Sequence, residues 1–250
     1  MKISMTRLSI LVLLAPLAAI AQTAPPEDYT LIGAGVRTRP AYDGSSSQTT
    51  DVIPVLRYYG KPLFARTTQG ILEGGIRTEV SPGLAVGAQL AYEAGRKRSE
   101  SNFLSNNNIP DIDWGASAGI HAEWDTKIGP APLNVLGRLR QNIDRDRGAQ
   151  ADLRLTAGVY GSGGVQAGVF TQATWANRQS NRAYYGQPGF DPAGGLLFVS
   201  LGALGSVDLG QHLVLVASLE HRRLQGDAAR SPLAERTSNH YASAGVAYKF

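Results

Sequence analysis

Ser117 lies in a Gly-x-Ser-x-Gly pattern at residues 115–119, and His121 follows it closely. Serine hydrolases place such a serine on a strained turn between a strand and a helix, where a histidine activates it. Residues 114–124 instead alternate between apolar and polar side chains, which predicts a strand with Ser117 and His121 on the same side. A strand provides no such turn. We therefore interpret the motif as small residues within a strand of a barrel wall, and we predict no catalytic residue.

The histidines do not form a recognisable metal motif. His121, His212, His221 and His240 show no His-Glu-x-x-His or comparable spacing. The chain has no cysteine, which excludes disulfides, thiolate metal centres and thiol catalysis. The sequence therefore predicts neither a metal nor a cofactor.

A set of charged residues falls on the polar side of the alternating segments. They are Glu73, Arg77, Glu79, Glu93, Glu123, Arg138, Arg140, Asp152, Arg154, Glu220 and Arg222. If that side faces a lumen, these residues could line a channel, because rings of like charge bias ion passage. Alternatively, opposite charges pair with each other across a narrow interior. Both signs are mixed in the set, and this favours pairing.

Most of the chain alternates with a period of two. Leu84, Val86 and Leu90 fall on one side of a segment and Gln89 on the other. Many such segments of about ten residues are typical of a transmembrane β-barrel with an apolar outside and a polar lumen. We predict an all-β fold, a single antiparallel barrel of about twelve strands with ten as the alternative, and both termini on the periplasmic side. The strands are expected near residues 29–38, 50–59, 62–67, 70–81, 84–95, 112–124, 132–142, 150–160, 164–177, 195–207, 212–224 and 239–250.

A soluble β-sandwich or a lipocalin-like periplasmic barrel would also alternate. Tight turns, such as residues 60–61 and 162–164, separate long polar stretches at residues 96–110, 179–193 and 225–239. Short periplasmic turns and long external loops are typical of outer-membrane barrels. Glycine, at 29 of 250 residues, is also too frequent for a helical bundle. We therefore favour the outer-membrane barrel.

Aromatic residues are expected to form girdles at the two edges of the apolar band. They are Tyr92, Trp114, Trp124, Trp175 and Tyr248. Trp114 and Trp124 share one side of a strand, and about 33 Å of extended chain separates them. At a tilt of about 40° that length spans about 25 Å, the height of an apolar band. Tyr248 and Phe250 end the last strand, which resembles the signal that the outer-membrane assembly machinery reads.

The N-terminal segment is expected to direct export. Lys2 and Arg7 precede an apolar run that is shorter than a membrane-spanning helix, and small residues follow at a cleavage position. We predict a signal peptide at residues 1–21, a periplasmic lead at residues 22–28 and a barrel domain at residues 29–250. Loss of the signal peptide lowers the formal charge from +4 to +2. A surplus of two charges does not suggest a nucleic-acid partner.

Several short motifs resemble the MipA/OmpV family of MltA-interacting outer-membrane proteins. They are Gly33-x-Gly35-Val36-Arg37-x-Arg39-Pro40-x-Tyr42-x-Gly44-Ser45, Val52-Ile53-Pro54-Val55-Leu56-x-Tyr58, Tyr184-Tyr185-Gly186, Ser231-Pro232-Leu233 and Tyr248-Lys249-Phe250. The resemblance runs from Tyr29 to Phe250. It implies a scaffold that joins a lytic transglycosylase to a murein synthase at the inner face of the outer membrane. It supplies no catalytic residue.

Three functional hypotheses follow. The first is a non-enzymatic outer-membrane scaffold for cell-wall (peptidoglycan) assembly, with outer-membrane lipid, lipopolysaccharide, the two murein enzymes and the assembly machinery as partners. The second is a small porin-like channel for small polar solutes. The third is a lipid-modifying barrel enzyme, which needs a serine and a histidine together on the lipid-facing side. His221 has that orientation, and the sequence shows no serine beside it.

Overall fold

The computed structural model describes residues 30–68 and 70–250. In this part of the chain, twelve antiparallel strands close into one barrel, in which β1 pairs with β12. The strands are β1 (Leu31–Pro40), β2 (Gln48–Tyr59), β3 (Leu63–Thr68), β4 (Ile71–Ser81), β5 (Leu84–Glu93), β6 (Gly115–Ile128), β7 (Ala131–Asn142), β8 (Ala149–Ser162), β9 (Val165–Ala176), β10 (Gly195–Asp208), β11 (Leu213–Leu224) and β12 (Ser238–Lys249). The all-β barrel of twelve strands is confirmed, and the alternative of ten is wrong. The expected signal peptide and periplasmic lead lie outside the described residues.

Period-two alternation gives the barrel wall its two faces. Outward side chains include Leu201 and Leu219, each 64% exposed, and the residues paired beside them on the neighbouring strands are also outward. Inward side chains on the same strands are mostly small or polar, and Ser200 and Glu220 are buried. An apolar outside and a polar inside suit a wall that stands in lipid.

The two ends of the barrel differ in their connections. We call one the turn end, because the β2–β3, β4–β5, β6–β7, β8–β9 and β10–β11 connections there have two to four residues. At the β8–β9 turn, Gly163 and Gly164 have φ of 58° and 78°, which suits the tight turns that join hairpin strands. We call the other the loop end. It carries the long connections at residues 94–114, 177–194 and 225–237.

Short helices lie in these loop-end connections. Helix α1 (Asn102–Asn106) lies between β5 and β6, and helix α2 (Arg178–Tyr185) lies between β9 and β10. The side chain of Asn177 accepts a hydrogen bond of 2.8 Å from the Ser180 N–H, which caps α2. No helix within residues 30–68 and 70–250 is long and apolar enough to cross a membrane.

The sixth strand is displaced from its predicted position. It was expected at residues 112–124 and is observed at Gly115–Ile128, so Trp114 precedes it. The reason is the loop before it, in which the backbones of Arg96 and Ile112 bond to each other in both directions at 2.8 Å. Arg147 also donates a 2.5 Å hydrogen bond to the Asp113 carbonyl. The chain before Gly115 therefore belongs to the loop.

Backbone pairing between neighbouring strands of the barrel is shortest between β2 and β3. Their register comprises Arg57–Arg66, Tyr58–Ala65 and Tyr59–Phe64, because β3 has only six residues. We call this short contact the β2–β3 seam. Residues 48–56 of β2 pair with β1 on one side, and no described strand pairs with them on the other. Val52, in this stretch, is 81% exposed.

The clusters of buried apolar side chains in the described residues lie near the two ends of the barrel. Near the turn end, Leu31, Val214 and Ala247 form one buried cluster. Near the loop end, two clusters lie under the loops, and their buried members are Ala176, Tyr185, Leu197, Phe198, Leu224 and Ala228 in one and Leu104, Ile109 and Leu233 in the other. Between the ends the interior holds buried charges, with single apolar side chains such as Leu136 and Phe170 among them.

Candidate functional site: the charged interior and its loop-end cover

Glu73 on β4 is the centre of a network of buried charges. Its side chain is 0% exposed and accepts hydrogen bonds of 2.6 Å from Arg66 Nε and 3.0 Å from Arg138 Nη1. Gln89 Nε2 donates a third, of 2.9 Å. Arg66 also bonds Glu123 at 2.8 Å and the Tyr59 hydroxyl at 3.0 Å, so it joins β2, β3, β4 and β6. Charges removed from water in this way are stable only when each is paired.

The network continues across β7 and β8 through Asp152. Arg140 Nη2 lies 3.1 Å from Asp152 Oδ2, and Arg138 Nε lies 3.3 Å from the same oxygen. Arg140 also pairs with Glu93 at 2.7 Å. Thr174 on β9 donates a 2.8 Å hydrogen bond to Asp152. We call the set the lumen network; its members are Arg66, Glu73, Gln89, Glu93, Glu123, Arg138, Arg140, Asp152 and Thr174.

Two aromatic rings accompany the inward-facing charges. Arg154 lies over the Phe170 ring at 3.9 Å from its centroid, and its Nε donates a 3.3 Å hydrogen bond to Thr156. Phe64 lies edge-on to His121, with ring centroids 5.0 Å apart. Ser117 does not bond His121; its hydroxyl donates a 2.6 Å hydrogen bond to Glu93. The Gly-x-Ser-x-Gly residues thus lie in a straight strand, without the geometry of a hydrolase elbow.

The remaining residues of the predicted charged set lie at other heights on the inward face. Arg77 lies 4.8 Å from the Tyr59 ring centroid. Glu79 is exposed at the turn end and accepts a 3.0 Å hydrogen bond from the Gly83 N–H. Near the loop end, Arg222 pairs with Glu220 at 3.1 Å and with Asp43 at 2.8 Å. All eleven residues therefore share the inward parity, but they do not form one ring.

The predicted aromatic residues lie outward at both ends of the wall. Tyr92 and Trp114 stack at the loop end with centroids 6.2 Å apart, and Trp175 lies one residue before the end of β9. Trp124 pairs with Leu84, the first residue of β5, and so lies near the turn end. Tyr248 is also there, stacked on His212 at 5.2 Å and in edge contact with Phe250 at 4.8 Å.

The loops at the loop end brace one another over the interior. Tyr42 donates a 2.9 Å hydrogen bond to the Leu233 carbonyl, and Ser231 donates one of 2.6 Å to the Tyr185 carbonyl. Asn239 accepts from the Gly44 N–H at 2.7 Å and donates to the Ser45 carbonyl at 2.8 Å. The Tyr42–Leu233 contact joins two motif residues that are 191 positions apart in the chain, and the Gly44–Asn239 contact spans 195 positions. We call this arrangement the loop brace.

Charge stabilises the loop brace as well. Burial and then the Glu235 carboxylate raise the pKa of Tyr42 well above its usual value. Burial opposes ionisation of Glu235 itself, but hydrogen bonds from Ser46 hold the pKa of Glu235 below its usual value. Asp191 follows helix α2 in the same loop, and hydrogen bonds from Arg182 and Arg178 on α2 hold the pKa of Asp191 well below its usual range. At physiological pH these shifts keep Tyr42 neutral and keep Glu235 and Asp191 ionised.

A cavity of about 200 Å³ lies between the lumen network and the loop brace. Arg140 and Asp152 line it from the network side, and Tyr184 and Arg96 from the loop side. Arg96 donates a 2.8 Å hydrogen bond to the Tyr184 carbonyl, and burial lowers the pKa of Arg96. The cavity is small beside the 300–1,000 Å³ of ordinary ligand pockets.

The predicted set of charged residues did not include Arg66, which is central to the network, or Asp43, which pairs with Arg222 at the loop end. Gln89 was placed on the polar side and Tyr185 in a family motif, but their hydrogen bonds to Glu73 and Ser231 were not predicted. Arg66 could have been found, because it alternates with Leu63 and Ala65 in a segment that was predicted as a strand. Within the described residues, no group of three or more acidic, histidine or cysteine side chains could hold a metal ion.

A closed twelve-stranded wall with an apolar outside and a charged interior defines the class: an outer-membrane β-barrel protein. Residues 32–250 match the model of the MltA-interacting protein MipA family. The chain belongs to this family, and the resemblance seen in the motifs is confirmed.

Three solved structures of outer-membrane proteins align with this chain at low identity. An outer membrane channel from Pseudomonas putida F1 is 12% identical, with coverage of 92% of this chain and 98% of that chain and a TM-score of 0.47. The beta domain of the Bordetella autotransporter BrkA is 13% identical, covering 89% and 100%, with a TM-score of 0.44. The NanC porin is 7% identical, covering 88% and 100%, with a TM-score of 0.43. Comparison with curated proteins gives no match.

Proposed function

We propose that this protein is a non-enzymatic outer-membrane scaffold that holds a lytic transglycosylase and a murein synthase together for cell-wall assembly. The family description supports the first partner, because it names MltA as the protein bound. The observation that carries the proposal is the lumen network. Its ion-paired side chains occupy the barrel interior, which leaves the two ends as the surfaces for function.

We propose that the turn end and both termini face the periplasm and that the loop end faces outward. The difference in connection length supports this orientation, because outer-membrane barrels have short periplasmic turns. In this topology residues 1–21 are removed on export, residues 22–28 lead into the barrel, and the barrel forms one domain. The outer face meets lipid, and the loop end meets lipopolysaccharide.

Site-specific photo-crosslinking in cells tests the scaffold. A photoreactive amino acid replaces Lys127, which is exposed in the β6–β7 hairpin at the turn end. The matched control replaces Asn107, which is exposed at the loop end. We expect a lytic transglycosylase to be captured from position 127 and not from position 107. Failure at position 127 and at the further turn-end positions Lys61 and Gln211 would overturn the proposal.

Planar-bilayer recording separates the scaffold from the porin-like alternative. A filled interior supports a barrel without steady conductance, because ions need a continuous path of water. We expect no stepwise current from the purified protein. Regular single-channel steps that change when Arg138 is replaced by glutamine would favour the channel instead.

Protease added to whole cells tests the orientation. We expect cleavage within residues 96–110, which contain the exposed Asn106 and Asn107. Exposed polar loops are preferred sites of proteolytic nicking. Cleavage that appears only after the outer membrane is permeabilised would invert the topology.

Deletion of Phe250 tests the proposed assembly signal. Phe250 contacts Tyr248 on the outside of the wall. We expect the deletion to lower the amount of barrel that reaches the outer membrane more than it lowers the stability of refolded barrel. Normal surface levels would contradict the assignment.

A further inference from the structure

Two histidines face each other on the outer surface of the barrel. His221 on β11 lies directly opposite His240 on β12 in the strand register. Their Nδ1 atoms are 3.3 Å apart, and their ring centroids are 4.7 Å apart. Both side chains are exposed. The sequence places them 19 positions apart, so only the register of the hairpin brings them together.

On β11 and β12, the pair lies where apolar outward residues give way to polar ones. Leu219 and Ala242, one outward step nearer the turn end, are apolar, and Arg223 and Ser238, one step nearer the loop end, are polar. A surface groove of about 600 Å³ runs beside the pair, and Thr38 and Gln48 contribute to its lining. The histidines therefore lie near the edge of the lipid-facing band, within reach of water and dissolved ions.

The separation of the two nitrogens matches a metal chelate. Zinc–nitrogen bonds are about 2.0–2.1 Å long and zinc is nearly tetrahedral, which puts two ligand nitrogens of one ion about 3.3–3.4 Å apart. The observed distance is 3.3 Å. Without a metal, the two nitrogens can form one hydrogen bond, in which one ring donates its Nδ1 proton and the other accepts it.

We propose that His221 and His240 form a binding site for a divalent transition-metal ion of the Zn²⁺ type on the outer surface of the barrel. Imidazole nitrogen suits zinc, copper and nickel, whereas calcium and magnesium prefer oxygen. Among the described residues there is no third acidic, histidine or cysteine side chain for a larger group. The remaining coordination positions are open to water, and the Thr38 and Gln48 side chains share the groove.

An open two-histidine site differs from a closed structural site in its consequences. It leaves positions at which an anionic group, such as a phosphate of the surrounding lipid, can join the ion. It also makes metal binding dependent on pH, since each histidine must be neutral to act as a ligand.

Metal titration of the whole, untagged barrel refolded in detergent tests the site. Isothermal titration with ZnCl₂ should give one ion per chain. His221→Gln and His240→Gln should each weaken binding at least about tenfold, the loss that follows removal even of an outer partner of a metal ligand. His212→Gln is the matched control, because His212 is also exposed on the outer face but is stacked on Tyr248. It should leave binding unchanged.

A second measurement needs no variant and so does not depend on refolding of a mutant. With one equivalent of CuCl₂ bound, electron paramagnetic resonance should show coupling to two equivalent imidazole nitrogens. Coupling to one nitrogen, or zinc affinity that is equal in the wild type and in both variants, would overturn the proposal. Binding that His212→Gln removes would assign the ion to the turn end and would overturn it as well.

Discussion

The wall between β8 and β9 and the wall at the β2–β3 seam are built in different ways. The β8–β9 register runs from Gln150–Ala176 to Ser162–Val165 with a single irregularity. At the seam, backbone pairing covers three positions. There, Arg66 connects the seam through its side chain, with bonds to Tyr59 on β2, Glu73 on β4 and Glu123 on β6. Where backbone pairing is short, buried charges hold the wall together.

The first prediction tests whether the lumen network supports the β2–β3 seam, by removal of the carboxylate at the centre of the network. Glu73→Ala leaves Arg66 and Arg138 buried without their shared partner. Loss of one partner of a buried ion pair costs about 3–5 kcal/mol, and we expect the free energy of unfolding to fall by that amount. Denaturant unfolding of the refolded barrel measures it.

Glu79→Ala is the control for this change, since Glu79 is inward-facing but exposed at the turn end. It should cost no more than about 1 kcal/mol, the value of an ordinary hydrogen bond. Equal costs at positions 73 and 79 would mean that the network does not support the seam.

The second prediction concerns the outer face that both regions share. Ala88 is outward on β5, between Ile76 and Ile120 on the neighbouring strands. Ala88→Arg places a charge near the middle of the membrane and should cost about 2–4 kcal/mol in lipid. Thr126→Arg, outward near the turn end, should cost about 0–1 kcal/mol. Unfolding of both variants from lipid vesicles compares them, and equal costs would mean that this face does not meet lipid.

The third prediction concerns the wall between β8 and β9, where backbone pairing is nearly continuous. Thr174→Ala removes the 2.8 Å hydrogen bond to Asp152 between β9 and β8. Hydrogen bonds to charged groups contribute about 1.5–3 kcal/mol, and the backbone pairing of β8 and β9 remains, so we expect a smaller loss of stability than at Glu73. The exposed, outward Thr78→Ala serves as the control. A larger loss of stability at position 174 than at position 73 would mean that side-chain bonds matter more between β8 and β9 than at the β2–β3 seam.

The fourth prediction is the smallest expected effect, a difference in hydrogen exchange between two strands of the unmutated barrel. Backbone N–H groups of a strand point alternately to its two neighbours. Those of residues 48–56 that point away from β1 face no strand within residues 30–68 and 70–250. We expect them to exchange hydrogen for deuterium faster than the N–H groups of β9. Hydrogen-exchange mass spectrometry of the refolded barrel resolves the two strands. Slow exchange throughout β2 would show that another group covers its edge.

Much of the fold could be predicted because alternation is a local property. Leu84, Val86 and Leu90 reveal their shared side without knowledge of any other strand. The same parity identified residues such as Glu73 and Asp152 as inward. It could not reveal that Asp152 lies between two arginines, because the register between strands depends on the whole closed wall.

The features that were missed depend on contacts between distant parts of the chain. His221 and His240 have no motif spacing, and only the β11–β12 register makes them neighbours. Tyr42 meets Leu233 across 191 positions. Trp114 was assigned to a strand because it continues the alternation of β6, but loop bonds to Arg96 and Arg147 hold the preceding residues elsewhere.

The open edge of β2 has a consequence for neighbouring molecules in a crowded membrane. An unpaired strand edge is a template on which another extended chain can build hydrogen bonds. Pro54 lies in this edge and has no N–H to donate. A second chain that aligned along β2 would meet an interrupted ladder. Pro54 therefore opposes self-association of the barrel along this strand edge.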